Sequence, residues 1–409
     1  MNPGKPRVCL LTESYYPVVG GGEVHARLLC REFQRLGVPV FVLTRRRAKS
    51  TPAFERVDDV PVLRVAPAGV PKMGKYLMLV PTFLRLVRER RDYDVIYVCG
   101  LRTLGLVAVW AARLLGKRCV LRSESKGEFS GGFIWQRMDG SSRPALKRLF
   151  GGAILARNYF LKKADRFLSI SGVIQEEFEA CGIPLARIAE IPNGIDTNTF
   201  APADPDTREA LRRRLNLPQG RLFMYSGKLN RGKGLEFLLR AWKVWARDRP
   251  DCFLVLVGSG AMQFLSCEDE LREYVREHHL ETSVRFVGAV SNVRDYLQAA
   301  DAFVFPSESE ALPLALLEAL ATGLPVIASD IGGVRDIVTD GRNGRLAPPN
   351  DAAAWIGCLN DLVDHPGAAA EWGAQGRCTV ATSFSIAHVA EEHLRLFRAV
   401  CGAPGGTGL

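Results

Sequence analysis

The stretch that most constrains the fold runs from residue 302 to residue 323. Ala302 to Phe305 is a short apolar run, which predicts a buried parallel strand. A loop ending in Glu310 follows, and then Pro313 to Gly323 consists almost entirely of Leu and Ala, with residues suited to begin and end a helix. Because this helix is apolar on all sides, we expect it to be buried. A buried strand leading into a buried helix is typical of an α/β protein.

Glu318 is the only charged residue of this predicted helix. No cation lies three or four positions from it, and a buried carboxylate is costly unless a partner neutralises it or donates hydrogen bonds to it. Two partners meet this need: a bound ligand rich in hydroxyl groups, or an Arg or Lys from another part of the fold. The helix N-terminus just past Glu310 also suits an anion such as phosphate. The stretch therefore predicts a ligand site as well as a fold class.

The rest of the chain repeats the alternation of short apolar strands and helices that parallel sheets require. Its 409 residues suit two or three domains. We predict an N-terminal domain at residues 1–195, a linker at 196–220, a second domain at 221–384 and a last helix at 385–402. In the first domain, a helical stretch near Lys72–Arg91 is predicted to be interrupted at Pro81.

Two glycine-rich turns follow predicted strands and are candidate anion sites. Gly20 and Gly21 follow the strand Val8–Thr12, where backbone N–H groups have open access to a phosphate, although such a loop is as often a plain turn. The turn at residues 226–234 follows Leu222–Tyr225 and is of a size to hold a diphosphate. It combines three cations with three glycines, namely Lys228, Arg231, Lys233, Gly227, Gly232 and Gly234. The first turn lacks the G-x-G-x-x-G spacing of dinucleotide-binding loops, and the second lacks the spacing of a Walker P-loop.

Composition and charge narrow the class further. The ten cysteines are scattered without metal-ligand spacing, which favours reduced thiols in a cytoplasmic protein, and no signal peptide is evident. Residues 1–195 contain 32 Lys and Arg against 17 Asp and Glu, whereas the rest contains 22 against 27. The basic half either attracts an anionic partner, such as a membrane leaflet or an acceptor, or is a solvated surface. The amphipathic stretch Phe83–Arg91 either lies on a membrane or packs on the sheet. No nucleic-acid motif is present.

Glu310 and Glu318 lie eight positions apart on a strand–loop–helix and are followed by Gly332-Gly333, so the chain resembles the family-4 type (GT4) retaining glycosyltransferases. The run from Ile191 to Asp196 and the turn containing Lys233 also match this family. The resemblance covers about Val8 to Val400. It implies the GT-B fold, an α/β architecture of two Rossmann-like doubly wound domains facing across a cleft. It also implies a sugar-nucleotide donor, with no cofactor and no metal.

The resemblance implies roles for individual residues. The implied catalytic residues are Glu310, which contacts the donor sugar, and Lys228 and Lys233, which hold the diphosphate. The implied donor-binding residues are Gly20, Gly21, Gly227, Arg231, Gly258, Val287, Ala311, Leu312, Leu314 and Glu318, the last at the ribose hydroxyls. Lys228 stands where relatives have Arg and lacks the bidentate fork, so we expect weaker diphosphate binding or a contribution from Arg231.

The acceptor side is less clearly encoded. Many relatives carry a His just after the strand predicted here at Cys119–Leu121, and this chain has none there. The candidates for acceptor contact are Glu124, Lys126, Glu128 and Ser171, with a charged loop of no special role as the alternative for the glutamates. The segment Ser130–Arg157 is predicted to be an exposed loop with a basic helix that determines the acceptor.

The predicted function is transfer of a hexose-type sugar from a nucleotide diphosphate, with a UDP-sugar favoured over GDP-mannose. The acceptor is a glycan, a lipid-linked molecule or a small molecule, in cell-surface polysaccharide or glycolipid synthesis. Glu310 is formally a candidate nucleophile, but the resemblance favours front-face substitution, in which Glu310 positions the sugar. The alternatives are a GT-B epimerase or hydrolase and a non-catalytic sugar-nucleotide-binding module. The expected location is cytoplasmic, with peripheral attachment to the inner face of the membrane as an option.

Overall fold

The computed structural model describes residues 5–18, 20–70, 73–132, 144–261, 263 and 265–402, and only the backbone of residues 144–150. The chain divides into two units. The first consists of Met1–Gly194 with Ile386–Leu409, and the second is Ile195–Ser385. Each unit is built on one largely parallel sheet with helices packed on it, which confirms the predicted α/β class.

The strands and helices are numbered in chain order within the described residues. The strands are Val8–Thr12 (β1), Val40–Arg45 (β2), Phe54–Val57 (β3), Val60–Val65 (β4), Val95–Cys99 (β5), Arg118–Arg122 (β6), Arg166–Ser169 (β7), Ile188–Glu190 (β8), Arg221–Ser226 (β9), Cys252–Val257 (β10), Val284–Gly288 (β11), Ala302–Phe305 (β12), Val326–Ser329 (β13) and Arg345–Ala347 (β14). The helices are Gly21–Arg35 (α1), Gly74–Leu77 (α2), Leu79–Arg88 (α3), Leu101–Leu115 (α4), Pro144–Leu161 (α5), Gly172–Ala180 (α6), Pro205–Arg214 (α7), Leu235–Trp245 (α8), Glu268–Glu277 (α9), Val293–Ala299 (α10), Leu314–Ala321 (α11), Gly332–Arg335 (α12), Ala352–Asp364 (α13), Pro366–Ser383 (α14) and Ile386–Gly402 (α15).

The sheet of the first unit has the strand order β3-β4-β2-β1-β5-β6-β7-β8. All neighbouring strands pair in parallel except β3 and β4, which form an antiparallel hairpin. Strands β1, β2 and β5 are buried along their whole length. Helices cover both faces of these strands, which is why the strands are continuous apolar runs in the sequence.

The last helix, α15, packs against α1 within the first unit. His393 of α15 inserts among aromatic rings of the core, including Phe33 and Tyr97. Its Nε2 atom lies 2.9 Å from the Tyr97 hydroxyl and its Nδ1 atom 2.7 Å from the Val389 carbonyl oxygen. Burial lowers the pKa of His393 to about 3. The ring is therefore neutral at physiological pH.

Two features of the first unit differ from the sequence prediction. The hairpin β3–β4 was not predicted. Its two-residue turn, Asp58-Asp59, has positive φ at both positions, and Arg27 of α1 binds Asp58 with an N–O distance of 2.6 Å. The predicted break at Pro81 is also wrong, because the helix breaks at Met78 and Pro81 lies in the first turn of α3. The proline ring would clash with the carbonyl of Leu77, so the chain ends α2 there and restarts.

The segment Ser130–Arg157, predicted to be a loop with a basic helix, is only partly described. Residues 133–143 lie outside the described residues, and α5 begins at Pro144. Among the described residues, no helix has the length and apolarity needed to cross a bilayer. All ten cysteines are free thiols.

The sheet of the second unit has the order β11-β10-β9-β12-β13-β14, and every neighbouring pair is parallel. Starting from β9, the chain first adds β10 and β11 on one side. It then returns to add β12, β13 and β14 on the other side. The chain therefore leaves β9 and β12 in opposite directions at the carboxyl edge of the sheet, and such a switch point is where parallel α/β sheets bind ligands.

Candidate functional site

The switch point of the second unit brings together two loops predicted from the sequence, namely the glycine-rich turn after β9 and the loop that contains Glu310. The loop from Gly227 to Gly234 follows β9, and the loop from Pro306 to Pro313 follows β12. The backbone N–H of Glu308 donates to the carbonyl of Gly232 at 3.0 Å, so the two loops are hydrogen-bonded to each other. We call this region the C-terminal site.

The central contact of the C-terminal site is an ion pair between Lys233 and Glu310. The Lys233 Nζ atom lies 2.6 Å from the Glu310 Oε1 atom, and the two side chains are 29% and 15% exposed. The pair joins residues that are 77 positions apart in the sequence. It holds both groups in place while leaving them accessible to a ligand in the crevice.

The other two cations of the turn are placed differently. Lys228 has an exposed side chain, and its backbone carbonyl accepts a hydrogen bond of 3.0 Å from the Tyr225 hydroxyl. Arg231 binds Glu270 at 2.6 Å and Glu236 at 3.4 Å on the exterior of the unit. A contribution of Arg231 to diphosphate binding remains a prediction, and it would require these exposed pairs to open.

Backbone contacts at glycines bring the two loops close together. A Cβ atom on Gly234 would overlap the carbonyl oxygen of Pro306, and one on Gly258 would overlap the carbonyl oxygen of Gly227. Both glycines also have positive φ, which disfavours any side chain. Gly333 similarly packs its backbone on Ala311, directly after Glu310. The close approach of these loops explains why glycines occur at three strand ends of this unit.

Glu318 lies on α11 and is half-buried, together with Leu314 and Ala315. The prediction that this helix is buried on all sides is therefore wrong for the stripe formed by Leu314, Ala315 and Glu318. The opposite face, containing Leu316 and Leu320, is buried, while this stripe stays open because α11 packs against α14 on its other side. The helix also begins at Leu314, one residue later than predicted.

The carboxyl group of Glu318 has neither an ion pair nor a hydrogen bond with any of the described residues. Burial alone raises its pKa to about 7. The alternative of a tertiary salt bridge thus finds no support within the described ranges. A group in this state is suited to accept hydrogen bonds from a hydroxyl-rich ligand.

The remaining predicted donor residues line the same edge of the sheet. Val287 is the extra residue of a bulge in β11, because Leu256 pairs with Phe286 and Val257 pairs with Gly288. A bulge leaves backbone groups outside the ladder, and bulges are common beside functional sites. Ala311 and Leu312 belong to the loop after Glu310 and lead into the helix that carries Leu314 and Glu318.

The first unit has a comparable switch point between β1 and β5, and a pocket of about 370 Å³ lies there. We call it the N-terminal pocket. It is lined by Thr12, Glu13, Ser14, Gly22, Glu23, Cys99, Gly100, Arg102, Thr103, Glu124, Ser125 and Glu128. Four of these residues are glutamates and one is an arginine, so the pocket is acidic although the unit as a whole is basic.

Glu124 and Glu128 interact electrostatically in this pocket. Glu128 accepts hydrogen bonds of 3.1 Å from the Leu101 N–H and from the Ser125 hydroxyl. Burial, followed by repulsion from Glu124, raises the pKa of Glu128 to about 7. Burial also raises the pKa of Glu124, although Arg122 opposes this effect. The Glu124 Oε1 atom is buried and has no hydrogen-bond partner among the described residues.

The structure thus brings two of the four acceptor-side candidates together. Lys126 is exposed and does not line the pocket. Ser171 is buried at the start of α6, and its hydroxyl has no partner among the described residues. Sequence reasoning missed Glu13 as a pocket residue, although its position directly after β1 would have indicated it.

Gly20 lies in the extended conformation and caps α1, and Gly21 is the first residue of the helix. Glu23, in the first turn of α1, accepts a hydrogen bond from the hydroxyl of Ser14 in the preceding loop. The role of Gly20 and Gly21 in donor binding remains a prediction. At the position where a His was expected, the chain has Arg122, which is buried and donates to the side-chain oxygen of Asn193.

The chain is similar to known proteins over most of its length. A family model described as "Glycosyltransferase Family 4" matches residues 19–199, and one described as "Glycosyl transferases group 1" matches residues 207–379. The chain is 29% identical to alpha-maltose-1-phosphate synthase of Mycolicibacterium smegmatis, over 96% of this chain and 99% of that one. It is 26% identical to D-inositol 3-phosphate glycosyltransferase 1 of Catenulispora acidiphila, over 95% and 92%.

Solved structures share the fold over nearly the whole chain. Sucrose-phosphate synthase (tll1590) from Thermosynechococcus elongatus superposes with a TM-score of 0.75 and 24% identity, covering 97% of this chain and all of that one. Anabaena Alr3699/HepE, solved in complex with UDP-glucose, superposes with a TM-score of 0.75 and 18% identity, covering 96% of this chain and 100% of that one.

The two parallel sheets, the sites at their switch points and the matching models together define a glycosyltransferase of the GT-B fold. Within this class, the chain belongs to the family-4 type. The predicted fold and family are thereby confirmed.

Proposed function

We propose that this enzyme is a retaining hexosyltransferase that uses a nucleotide diphosphate sugar, with the donor bound at the C-terminal site. The observation that carries the proposal is the Lys233–Glu310 pair at the switch point of the second unit. It places a cation suited to a diphosphate beside a carboxylate suited to sugar hydroxyl groups. Glu318, without a partner in the described residues, is suited to accept hydrogen bonds from the ribose hydroxyls.

In the proposed reaction, the bond between the anomeric carbon and the diphosphate oxygen breaks, and its electron pair stays on the diphosphate. The acceptor oxygen bonds to the same face of the anomeric carbon and transfers its proton to the departing phosphate oxygen. Lys233 and Lys228 stabilise the charge that develops on the diphosphate, so the chemistry requires no metal ion. Glu310 positions the donor sugar, because its ion pair with Lys233 competes with any nucleophilic role.

The acceptor is proposed to bind in the N-terminal pocket. Its glutamates accept hydrogen bonds from hydroxyl groups and disfavour a phosphate monoester, so a neutral polyhydroxyl acceptor fits best. Two similar enzymes are named as a maltose-1-phosphate synthase and an inositol 3-phosphate glycosyltransferase. We propose that this enzyme acts in the cytoplasm on a glycan, lipid-linked or small-molecule acceptor for polysaccharide or glycolipid synthesis.

The substitution Glu310→Ala tests the proposed site. We expect UDP binding, measured by calorimetry, to stay nearly intact, because the groups proposed to bind the nucleotide, including Lys233 and Glu318, are retained. Sugar transfer should be lost. UDP is the first nucleotide to test, with GDP as the comparison. Nucleotide release that depends on an acceptor distinguishes a transferase from a hydrolase or an epimerase.

The matched control is Glu308→Ala, two residues away, where the side chain is exposed. We expect this variant to keep both activities. Unchanged turnover in Glu310→Ala would contradict the assigned role, and absence of any UDP or GDP binding in the parent enzyme would contradict the donor site itself.

A further inference from the structure

Three helices of the first unit lie side by side and contain no acidic residue. Helices α3 and α4 pack on the sheet and against each other, and α4 packs against α5. They contain two, two and three Lys or Arg, respectively, and no Asp or Glu. At the average composition of the chain, segments of this combined length would hold about four or five acidic residues. We call these helices, together with the preceding α2, the acid-free layer.

The acid-free layer also concentrates the exposed apolar side chains. Of the sixteen large apolar side chains exposed within the described residues, ten belong to it, counting Met73 directly before α2. The ten are Met73, Tyr76, Leu77, Val80, Leu84, Trp110, Leu114, Leu155, Tyr159 and Phe160. Such clustering marks an interaction surface, whereas single exposed apolar residues need no explanation.

Each of the three longer helices presents an outward pair at a spacing of four residues. The pairs are Val80 with Leu84, Trp110 with Leu114, and Leu155 with Tyr159. Residues four apart lie on one face of a helix. Three neighbouring helices therefore each expose an apolar pair that does not contribute to the core of the unit.

Exposed aromatic rings of α4 and α5 contact each other, so the apolar surface is continuous across these two helices. The ring of Trp110 lies 5.8 Å from that of Phe160, which in turn contacts Tyr159 at 5.4 Å. The Lys163 Nζ atom lies 5.0 Å from the ring centroid of Tyr159 and 5.7 Å from that of Phe160. Arg88 and Arg113 are exposed at the ends of α3 and α4. The nearest acidic residue to follow α3, Glu89, is bound by Arg85 at 2.8 Å.

We propose that the acid-free layer docks on an anionic lipid bilayer. Its aliphatic and aromatic side chains enter the boundary between headgroups and acyl chains, and its exposed cations at the helix ends, Arg88 and Arg113, contact the headgroups. Trp and Tyr beside Lys and Arg are the residues preferred at that boundary. A second copy of the chain fits less well, because an interface of this surface with itself would place cation against cation. This inference is independent of the proposed reaction.

Vesicle co-sedimentation tests the proposal on the full chain. Vesicles of phosphatidylcholine alone are compared with vesicles in which it is mixed with phosphatidylglycerol. We expect binding only to the mixed vesicles, weakening as salt is raised, because the cations supply part of the binding energy.

The apolar contribution is tested with the triple variant Leu84→Ser/Trp110→Ser/Leu155→Ser. Its matched control replaces three side chains of similar exposure outside the layer: Leu185→Ser/Val244→Ser/Leu265→Ser. Because all six positions are exposed, both variants are expected to fold like the parent, which thermal unfolding checks. We expect the layer variant to bind more than about tenfold more weakly and the control to bind normally.

The electrostatic contribution is tested with Arg88→Glu/Arg113→Glu, against the exposed pair Arg240→Glu/Arg247→Glu in the second unit. Loss of two surface cations lowers binding to the mixed vesicles by about 25-fold or more, and the control is unaffected. Absence of vesicle binding by the parent, or equal binding by layer and control variants, would overturn the proposal. So would a change in oligomeric state of the layer variants, measured by sedimentation, without a change in vesicle binding.

Discussion

Replacing Glu318 with Gln is expected to have opposite effects on the free enzyme and on its nucleotide complex. Burial raises the pKa of Glu318 from 4.5 to about 7 in the folded enzyme. Ionising this carboxyl in the free enzyme therefore costs about 3 kcal/mol. Gln has nearly the same size and no charge, so the substitution removes this cost without leaving a cavity.

The sign of the pH dependence follows from the direction of this pKa. Between pH 4.5 and 7, the folded enzyme holds a proton at Glu318 that the unfolded chain has lost, so the free energy of unfolding decreases as pH rises through this window. At pH 8 the Gln variant is expected to be more stable than the parent by about 3 kcal/mol, and below pH 4.5 the two converge. Urea unfolding at both pH values measures the difference.

Nucleotide binding is expected to change in the opposite direction. If ribose hydroxyl groups donate to the ionised Glu318, affinity for UDP rises about tenfold between pH 6 and pH 8, as the carboxyl ionises near pH 7. The terminal phosphate of UDP titrates in the same range, so the informative quantity is the difference between parent and variant. Calorimetry should show weaker UDP binding by the variant and a smaller change with pH.

The control is Glu308→Gln, because that side chain is exposed on the neighbouring loop. It should alter neither the stability nor the UDP affinity. Equal stability of parent and Glu318→Gln at pH 8 would refute the argument, since it would mean that the carboxylate is already solvated or paired in the free enzyme.

Three further substitutions test other parts of the structure. Gly234→Ala should lower the free energy of unfolding by more than about 3 kcal/mol, and Gly232→Ala by about 1 kcal/mol. Both glycines have positive φ, but only a Cβ atom at Gly234 would overlap Pro306, so equal losses would contradict the argument. Burial lowers the pKa of His393 to about 3, so the unfolded chain takes up a proton that the folded enzyme excludes, and the free energy of unfolding decreases by about 4 kcal/mol as pH falls from 6.5 to 3. In His393→Gln, urea unfolding should show a smaller decrease over this range. Glu124→Gln should raise KM for the acceptor about tenfold without changing UDP affinity, and weaker UDP binding would argue against an acceptor role.

The sequence predicted the elements around the C-terminal site because their patterns are local. The apolar run Ala302–Phe305 is a strand with the predicted bounds, and the predicted turn at residues 226–234 ends where α8 begins. The hairpin turn at Asp58-Asp59 was missed because its residues adopt positive φ without the glycine that usually marks such a turn. The open stripe beside Glu318 was missed because a Leu/Ala-rich helix does not reveal which side its neighbours leave free.

The grouping of residues within the N-terminal pocket was less predictable for a different reason. Glu13 and Glu124 are more than a hundred positions apart, and they line one pocket because β5 lies beside β1 and β6 lies beside β5. Hydrophobic periodicity predicts strands but contains no information on their order. The resemblance to a known family supplied the order for the donor residues, and nothing equivalent supplied it for the acceptor side.

The two sites occupy the same topological position but differ in charge, and this difference accounts for the proposed division of substrates. At the C-terminal site, Lys233 neutralises Glu310, and Lys228 leaves a net positive charge that suits a diphosphate. At the N-terminal pocket, the glutamates outnumber the single cation, Arg102, so we expect the pocket to disfavour a diphosphate and to favour hydroxyl donors. The fold places a crevice in each unit, because each sheet reverses its strand order beside its first strand. If the charges in each crevice determine which substrate binds there, as we propose, exchanging their signs should exchange the preference for anion and polyol without altering the fold.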